Sequence, residues 1–414
     1  MTRTQKLRGW SFTALLFSLA IVNIYLLWES RLAMAKGFPD FANFYTAGAL
    51  VDRGQAREIY DTGAQWRVQQ EFSSEVKLRR GPLRYLRPPF EALLFALFAR
   101  CPFPQAFLLW TIFKLALLTA IPFVVVRRRP WKESFPLSLV PLLVLGTVPG
   151  FIDVLHGQDA TLLAFLVAVA FWQVDKGRDA SAGVAFALGL IKFQLVLPLV
   201  LALCVAGRKR VLAGFAPCAL ALLALSAMVV GSHGVLRYPA YLLSFNQSTG
   251  LGIAPQLQTN LRGLLTLVIG RSPYPGRIHW LLAPVAVAAM VYAGLLWRKA
   301  GPRFLAEGFA LAALAAIVTS YYAYSYDLLL LIVPLLAMRT RPQRSMEGNR
   351  AITLLESAGL APLLLTPAYW FAGLGNQCLM TLPLVALMVA LWMRLRAARE
   401  IAEGRTAPIA SVLA

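Results

Sequence analysis

The chain has 414 residues, 58% hydrophobic and 14% charged, with a mean hydropathy of +0.64, whereas an ordinary soluble domain is near half apolar and a quarter charged. A net charge of +21 would point to nucleic acid in a soluble protein. Here the Lys and Arg stand mainly in short tracts between apolar runs, where they read as topology signals, so composition excludes both a soluble domain of ordinary size and a nucleic-acid partner.

At the start, Arg3, Lys6 and Arg8 precede an apolar run from Gly9 to Trp28. That run exceeds the usual h-region of about 7–15 residues, so an uncleaved anchor is favoured over a signal peptide cut at Ala33-Met34-Ala35. A spanning helix needs about 20 apolar residues, because the hydrocarbon core is ~30 Å thick and an α-helix rises 1.5 Å per residue. Candidate spans are 10–28, 105–126, 135–150, 160–174, 211–230, 278–297, 304–322, 326–338, 351–371 and 377–393, with 180–206 ambiguous because Lys192 lies in its middle and Pro198 soon after.

Loop charge arbitrates. With the N-terminus cytoplasmic, the tracts Arg127-Arg128-Arg129, Lys176 with Arg178, Arg208-Lys209-Arg210, Arg298-Lys299, 339–350 and 394–399 all fall inside. This needs 90–99 to dip into the outer interface and 180–206 to split into two short helices meeting near Lys192. A single helix there would put Arg208-Lys209-Arg210 outside and invert everything after it. The favoured solution is one all-α integral membrane domain over 1–414, with about twelve spans in the cell (inner or plasma) membrane. Its first outer loop is 29–105, its second 231–277, and its cytoplasmic tail 394–414. Residues 41–50 carry helical spacing, and 62–80 reads as an amphipathic helix on the membrane surface.

The outer segments hold the residues that could do chemistry. Asp40 follows Gly37-Phe38-Pro39; it either caps the next helix through the backbone N–H of Asn43 or serves as a general base in a cavity at the membrane surface, where desolvation raises a carboxyl pKa. Arg87-Pro88-Pro89 opens the short dipping helix, and its arginine pairs with a headgroup phosphate or with bulk lipid. His156-Gly157-Gln158-Asp159, after Asp153, is a polar cluster in which Asp159 is equally explained as a helix cap. Lys192, with Gln194 beside it and few other charges expected nearby, is either a snorkelling lysine or a cation for an anionic headgroup. Asn246-Gln247-Ser248 and 256–262 offer hydrogen-bonding groups to sugar hydroxyls, as polar loops do in general. The run from Tyr321 to Asp327 reads as an interfacial aromatic belt, though Asp327 inside it is harder to explain that way. Cys101, Cys204, Cys218 and Cys378 lie far apart, without zinc spacing, and read as structural. No phosphate loop, HExxH or nucleophile elbow occurs.

These residues in order resemble the polyprenol-phosphate-mannose-dependent mannosyltransferases of glycosyltransferase family 87, the DUF2029 group of GT-C membrane enzymes. Asp40-Phe41-Ala42-Asn43-Phe44-Tyr45 through Ile59-Tyr60-Asp61 is similar to that family's DFxxYYxA…LxxGxxxYD. Arg87-Pro88-Pro89 is similar to YPP, Gly157-Gln158 with Leu162-Leu163 to GQxNxLL, Gly189 to Lys192 to GLxxxxKxxP, and Asn246-Gln247-Ser248 through Leu261-Arg262-Gly263 to NQSxxGLL. Asp159 stands where the family often has Asn, Arg87 where it often has Tyr, and an insertion separates the last two elements.

The resemblance implies a GT-C-type helical bundle that transfers a hexose from a polyprenyl-phosphate donor to a lipid-linked or glycan acceptor on the extracytoplasmic side. It implies Asp40 as base, Lys192 at the donor phosphate, and Arg262, Gln158 and Arg87 as sugar or phosphate contacts. Tyr45, His156, Asp159, Asn246, Gln247 and Asp327 are further candidates. No metal or other cofactor is called for, and membrane lipid is the remaining partner. A carrier or flippase is the main alternative, since about twelve spans and an intramembrane lysine are ordinary there; against it stand large outer loops and no repeat of the Lys192 break in the second half. A noncatalytic factor that binds a lipid-linked intermediate is a third reading.

Overall fold

A computed structural model describes residues 3–73, 81–126, 136–247, 255–269, 275–340, 350–364 and 376–402. Among these there are helices and turns and no strand. In chain order the helices are α1 (Arg3–Glu29), α2 (Arg31–Ala35), α3 (Phe41–Asp52), α4 (Thr62–Ser73), α5 (Pro89–Ala99), α6 (Phe103–Val126), α7 (Val140–Leu145), α8 (Val148–His156) and α9 (Ala160–Asp175). They continue as α10 (Asp179–Leu188), α11 (Phe193–Val205), α12 (Val211–Gln247), α13 (Leu261–Ile269), α14 (Pro275–Ala300), α15 (Leu305–Thr319), α16 (Ile332–Arg339), α17 (Arg350–Leu364) and α18 (Thr381–Ala402).

Six helical stretches are long and apolar enough to cross a membrane, or seven if α7 and α8, bent by 73°, are counted as one. The expectation of about twelve is not reached by that measure. The shortfall lies partly in apolar helices too short to cross unaided, among them α9 and the apolar part of α1, Thr13–Glu29. A 16-residue helix such as α9 extends only about 24 Å. The helix expected over 62–80 ends at Ser73, and 74–80 lies outside the described residues, as do parts of the 135–150 and 351–371 candidates.

The ambiguous stretch 180–206 is resolved by packing. By length and composition Asp179–Val205 would pass as one 27-residue crossing, and a straight helix of that length would separate its ends by about 40 Å. Instead the guanidinium of Arg208 lies 2.8 Å from the Asp179 carboxylate and donates to the Val174 carbonyl at 3.0 Å. Gly214 of α12 packs so closely on the Ala180 carbonyl that a Cβ would collide with it, and Cys218 reaches the Val184 carbonyl. Helices α10 and α12 therefore start side by side and run parallel, and α11 returns against α14 and α15. The reversal falls at the 3-10 turn Gly189–Lys192, where an intramembrane cation was expected to interrupt the helix. Cysteines placed singly at Arg178 and Arg210, with the native cysteines removed, are expected to label from the same side of a sealed vesicle with an impermeant maleimide. Labelling from opposite sides would mean that α10 and α11 form one straight crossing.

The core has two parts. In the bundle, α15 is apolar all round and all 15 of its residues are buried, packed against α14, α18 and α11. The second part is an aromatic cap in which Phe41 of α3 packs on Phe95 of α5 and on Phe103, Phe107 and Trp110 of α6, while Phe44 stacks on Phe95. Helix α5, expected to dip at the interface, packs across α3 in this cap rather than lying loose. Of the four cysteines only Cys378 is buried, and none is in a disulfide; Cys101, Cys204 and Cys218, expected to be buried, are half-buried.

Candidate active site

A cavity of about 450 Å³ lies where this cap meets the bundle. Its walls carry Asp40 and Asn43 at the start of α3, Arg84 and Arg87 from the segment before α5, His156 and Gln158 from the turn between α8 and α9, and Tyr322 to Asp327 from the turn after α15.

The α8–α9 turn is held from below and from the side. Gly157 takes φ +61, a backbone region open chiefly to glycine, and a Cβ there would strike Phe41 and Phe107. Trp110 donates its indole N–H to the Gly157 carbonyl at 2.9 Å. Beneath it, buried Lys114 donates to the backbone carbonyl and the side chain of Asp153 at 2.6 and 3.0 Å, and Thr161 donates to the same carboxylate at 2.8 Å. This fixes the turn so that Gln158 donates through Nε2 to Asp40 at 2.7 Å, while His156 Nδ1 stands 3.4 Å from the same carboxylate oxygen. Asp40 occupies the residue before α3 but makes no side-chain cap hydrogen bond. Its side chain is 33% exposed and faces the cavity, so the capping role is not the one the geometry uses.

Beside this pair is a buried charge network. Arg87 makes a two-point contact with Asp159, at 2.6 and 2.9 Å. Lys192 lies 2.8 Å from the same Asp159 and 2.5 Å from Asp327, with its ammonium 4.7 Å over the Tyr326 ring. The expectation that Lys192 has few charges nearby is thus corrected: it is 1% exposed, its charge is met by two carboxylates, and it does not line the cavity. The sequence could not reveal this because the partners are 33 and 135 positions away along the chain. Asp159 makes no side-chain cap hydrogen bond and acts as the centre of the network. Asp327 also accepts from the Tyr324 backbone N–H at 2.9 Å. The tyrosines after α15 are cavity wall more than lipid belt: Tyr322, Tyr324 and Tyr326 all line the cavity.

Glu91, on α5, was not singled out from the sequence. Its side chain is 1% exposed and lies 4.0 Å from Arg87, and neither carboxyl oxygen accepts a hydrogen bond from a donor group. Burial and the negative charge of Asp159 push its pKa well up, which favours the neutral acid. For Asp159, burial opposes ionisation, but Arg87 and Lys192 outweigh it and hold the carboxyl below the usual range. Burial likewise opposes the charge on Arg87, and Asp159 overcomes it and raises the pKa. With Glu91 neutral, two cations face two anions and the network balances. The available signal was an acid inside an apolar helix, in a chain with only 19 acidic residues.

Other candidates stand apart. Tyr45 donates its hydroxyl to the Cys101 carbonyl at 3.0 Å inside the aromatic cap. Arg262 is buried one layer behind the cavity, 4.2 Å from the Tyr321 ring and donating to the Tyr321 carbonyl at 3.3 Å. Asn246 and Gln247 end α12, but their side chains lie outside the described residues, as does Ser248. Arg84, Gln194 and Gln377 line the cavity, with Ser325 donating to Gln377 at 2.6 Å. Gln194 was noted only as a neighbour of Lys192, and Arg84 and Gln377 were not singled out. Nothing but proximity in the folded chain marks these last two.

A family model described as Glycosyltransferase family 87 matches residues 85–325, more than half the chain and most of the cavity wall. No curated protein and no solved structure matches.

Proposed function

Because the chain belongs to glycosyltransferase family 87, and is on that ground a membrane glycosyltransferase, we propose that the cavity around Asp40 transfers a hexose, in our reading mannose, from a polyprenyl-phosphate donor to a lipid-linked or glycan acceptor on the outer face of the cell membrane. The observation that carries this reading is the carboxylate of Asp40. It is partly exposed on the cavity wall and oriented by Gln158 and His156, while two arginines stand on the same wall.

In this mechanism Asp40 takes the proton of an acceptor hydroxyl as its oxygen attacks the anomeric carbon. The bond from that carbon to the phosphate oxygen breaks with inversion, and the departing phosphate carries the electron pair. Arg84 and Arg87 meet its charge at the wall. Lys192, already ion-paired, acts at one remove by keeping Asp159, and through it Arg87, in place. The lipid tail of such a donor accounts for the amount of membrane-embedded chain, which a nucleotide sugar would not require.

Purified protein in lipid is expected to form product from polyprenyl-phosphate mannose and a glycolipid acceptor, and none when a nucleotide sugar replaces that donor. Transfer from the nucleotide sugar alone would overturn the donor class. Transfer from polyprenyl-phosphate glucose at an equal rate would overturn mannose.

A further inference from the structure

A second cavity, of about 800 Å³, lies where α12 bends. The bend is at Gly231, whose φ of +78° and ψ of 160° break the helix inside Val211–Gln247. One wall is this bend; the other is the turn that follows α3. Its lining shares no residue with the cavity around Asp40. Tyr60 and Tyr238 form the partition: their rings pack at 5.1 Å, and they donate their hydroxyls to the backbone carbonyls of Arg87 and Leu86 at 2.7 and 2.9 Å.

Two arginines and a histidine stand on its walls. Arg57, His233 and Arg237 line the cavity, and none has an ion-pair or hydrogen-bond partner among the described residues. The acid on the wall, Asp61, is engaged, accepting the Ala64 backbone N–H at 2.6 Å. Ser232 and Tyr241 add hydroxyl groups. Four other arginines near the cap, Arg53, Arg67, Arg87 and Arg100, are each paired with a carboxylate, which Arg57 and Arg237 are not. Arginines without a carboxylate, beside hydroxyl groups, match the needs of a phosphate, whose oxygens take forked guanidinium contacts. The cavity is also flanked by apolar surface on the same helix: Met228 is 82% exposed before the bend, and Leu236 and Leu243 are 78% and 60% exposed after it. That surface suits acyl chains, which points to a phosphate arriving on a lipid.

We infer that this cavity is a binding site for the phosphate headgroup of an anionic membrane lipid, held by Arg57, Arg237 and His233 and separate from the cavity around Asp40. The inference does not depend on the sugar-transfer reading. It is tested on the full chain in nanodiscs of mixed phosphatidylcholine and phosphatidylglycerol, counting the lipids retained by native mass spectrometry. The protein is expected to retain phosphatidylglycerol in preference to phosphatidylcholine, with the Arg57→Gln/Arg237→Gln variant lowering that retention by about tenfold. Both arginines are exposed and unpaired in this way, so the variant should fold; Arg396→Gln, on the far side in α18, and Asp40→Asn should retain the lipid as the parent does. Equal retention by the double variant, or equal retention of phosphatidylcholine by the parent, would overturn the site. Displacement of the lipid by inorganic phosphate at comparable concentration would overturn the lipid as ligand and leave a free phosphate in its place.

Discussion

Replacing Asp40 with Asn should abolish sugar transfer while leaving the fold and donor binding in place. The substitution keeps the shape of the side chain, and an amide oxygen can still accept the Gln158 hydrogen bond that now spans 2.7 Å. What it removes is the ability to take a proton, a contribution of roughly 10²–10⁴ in rate for a positioned base. The split matters more than the loss: donor affinity, read by binding of a nonhydrolysable polyprenyl phosphonate analogue, should be unchanged. Full activity in Asp40→Asn would remove this residue as base. His156, 3.4 Å from the same oxygen, is the other proton acceptor at that spot. An inactive His156→Gln beside an active Asp40→Asn would move the role to it.

Much of this site was legible along the chain because its polar residues interrupt apolar runs. Asp40, Gln158, His156 and Asp327 each stood out as costly where lipid or its interface was expected, and the structure gathers all four on one cavity. Their pairings were hidden. Lys192 was read as a cation in need of a ligand because sequence shows spacing and not neighbours. Asp159 and Asp327 reach it from the start of α9 and the turn after α15. The count of about twelve spans is not confirmed by helix length and composition. Length and composition treat Asp179–Val205 as one crossing, and only the contact of Arg208 with Asp179 reveals the return. Loop charge had pointed to that return, since a straight helix would have carried Arg208-Lys209-Arg210 to the opposite side from Lys176 and Arg178. Glu91 escaped notice because its neighbours Pro89 to Ala99 read simply as an apolar stretch.

The buried network yields the second large effect, in stability. Asp159→Asn should destabilise the protein by about 3–5 kcal/mol, the usual result of leaving a buried charge uncompensated, because Arg87 and Lys192 would then share only Asp327 as a committed anion. Glu91 makes the outcome more specific. With Asp159 ionised, Glu91 is a neutral acid, so Glu91→Gln alone should change stability little, an amide standing in for a protonated carboxyl. Once Asp159 is neutral, burial still favours protonated Glu91 but the negative neighbour that added to it is gone, and Arg87 at 4.0 Å draws it toward the charged form. Part of the lost balance is thereby restored. Adding Glu91→Gln to Asp159→Asn removes that relief, so the double variant should be less stable than the sum of the single changes predicts. Thermal unfolding of the four proteins in one detergent measures the coupling. A large loss in Glu91→Gln alone would mean that Glu91 is already ionised in the parent, and additive effects would mean that it never takes up the charge.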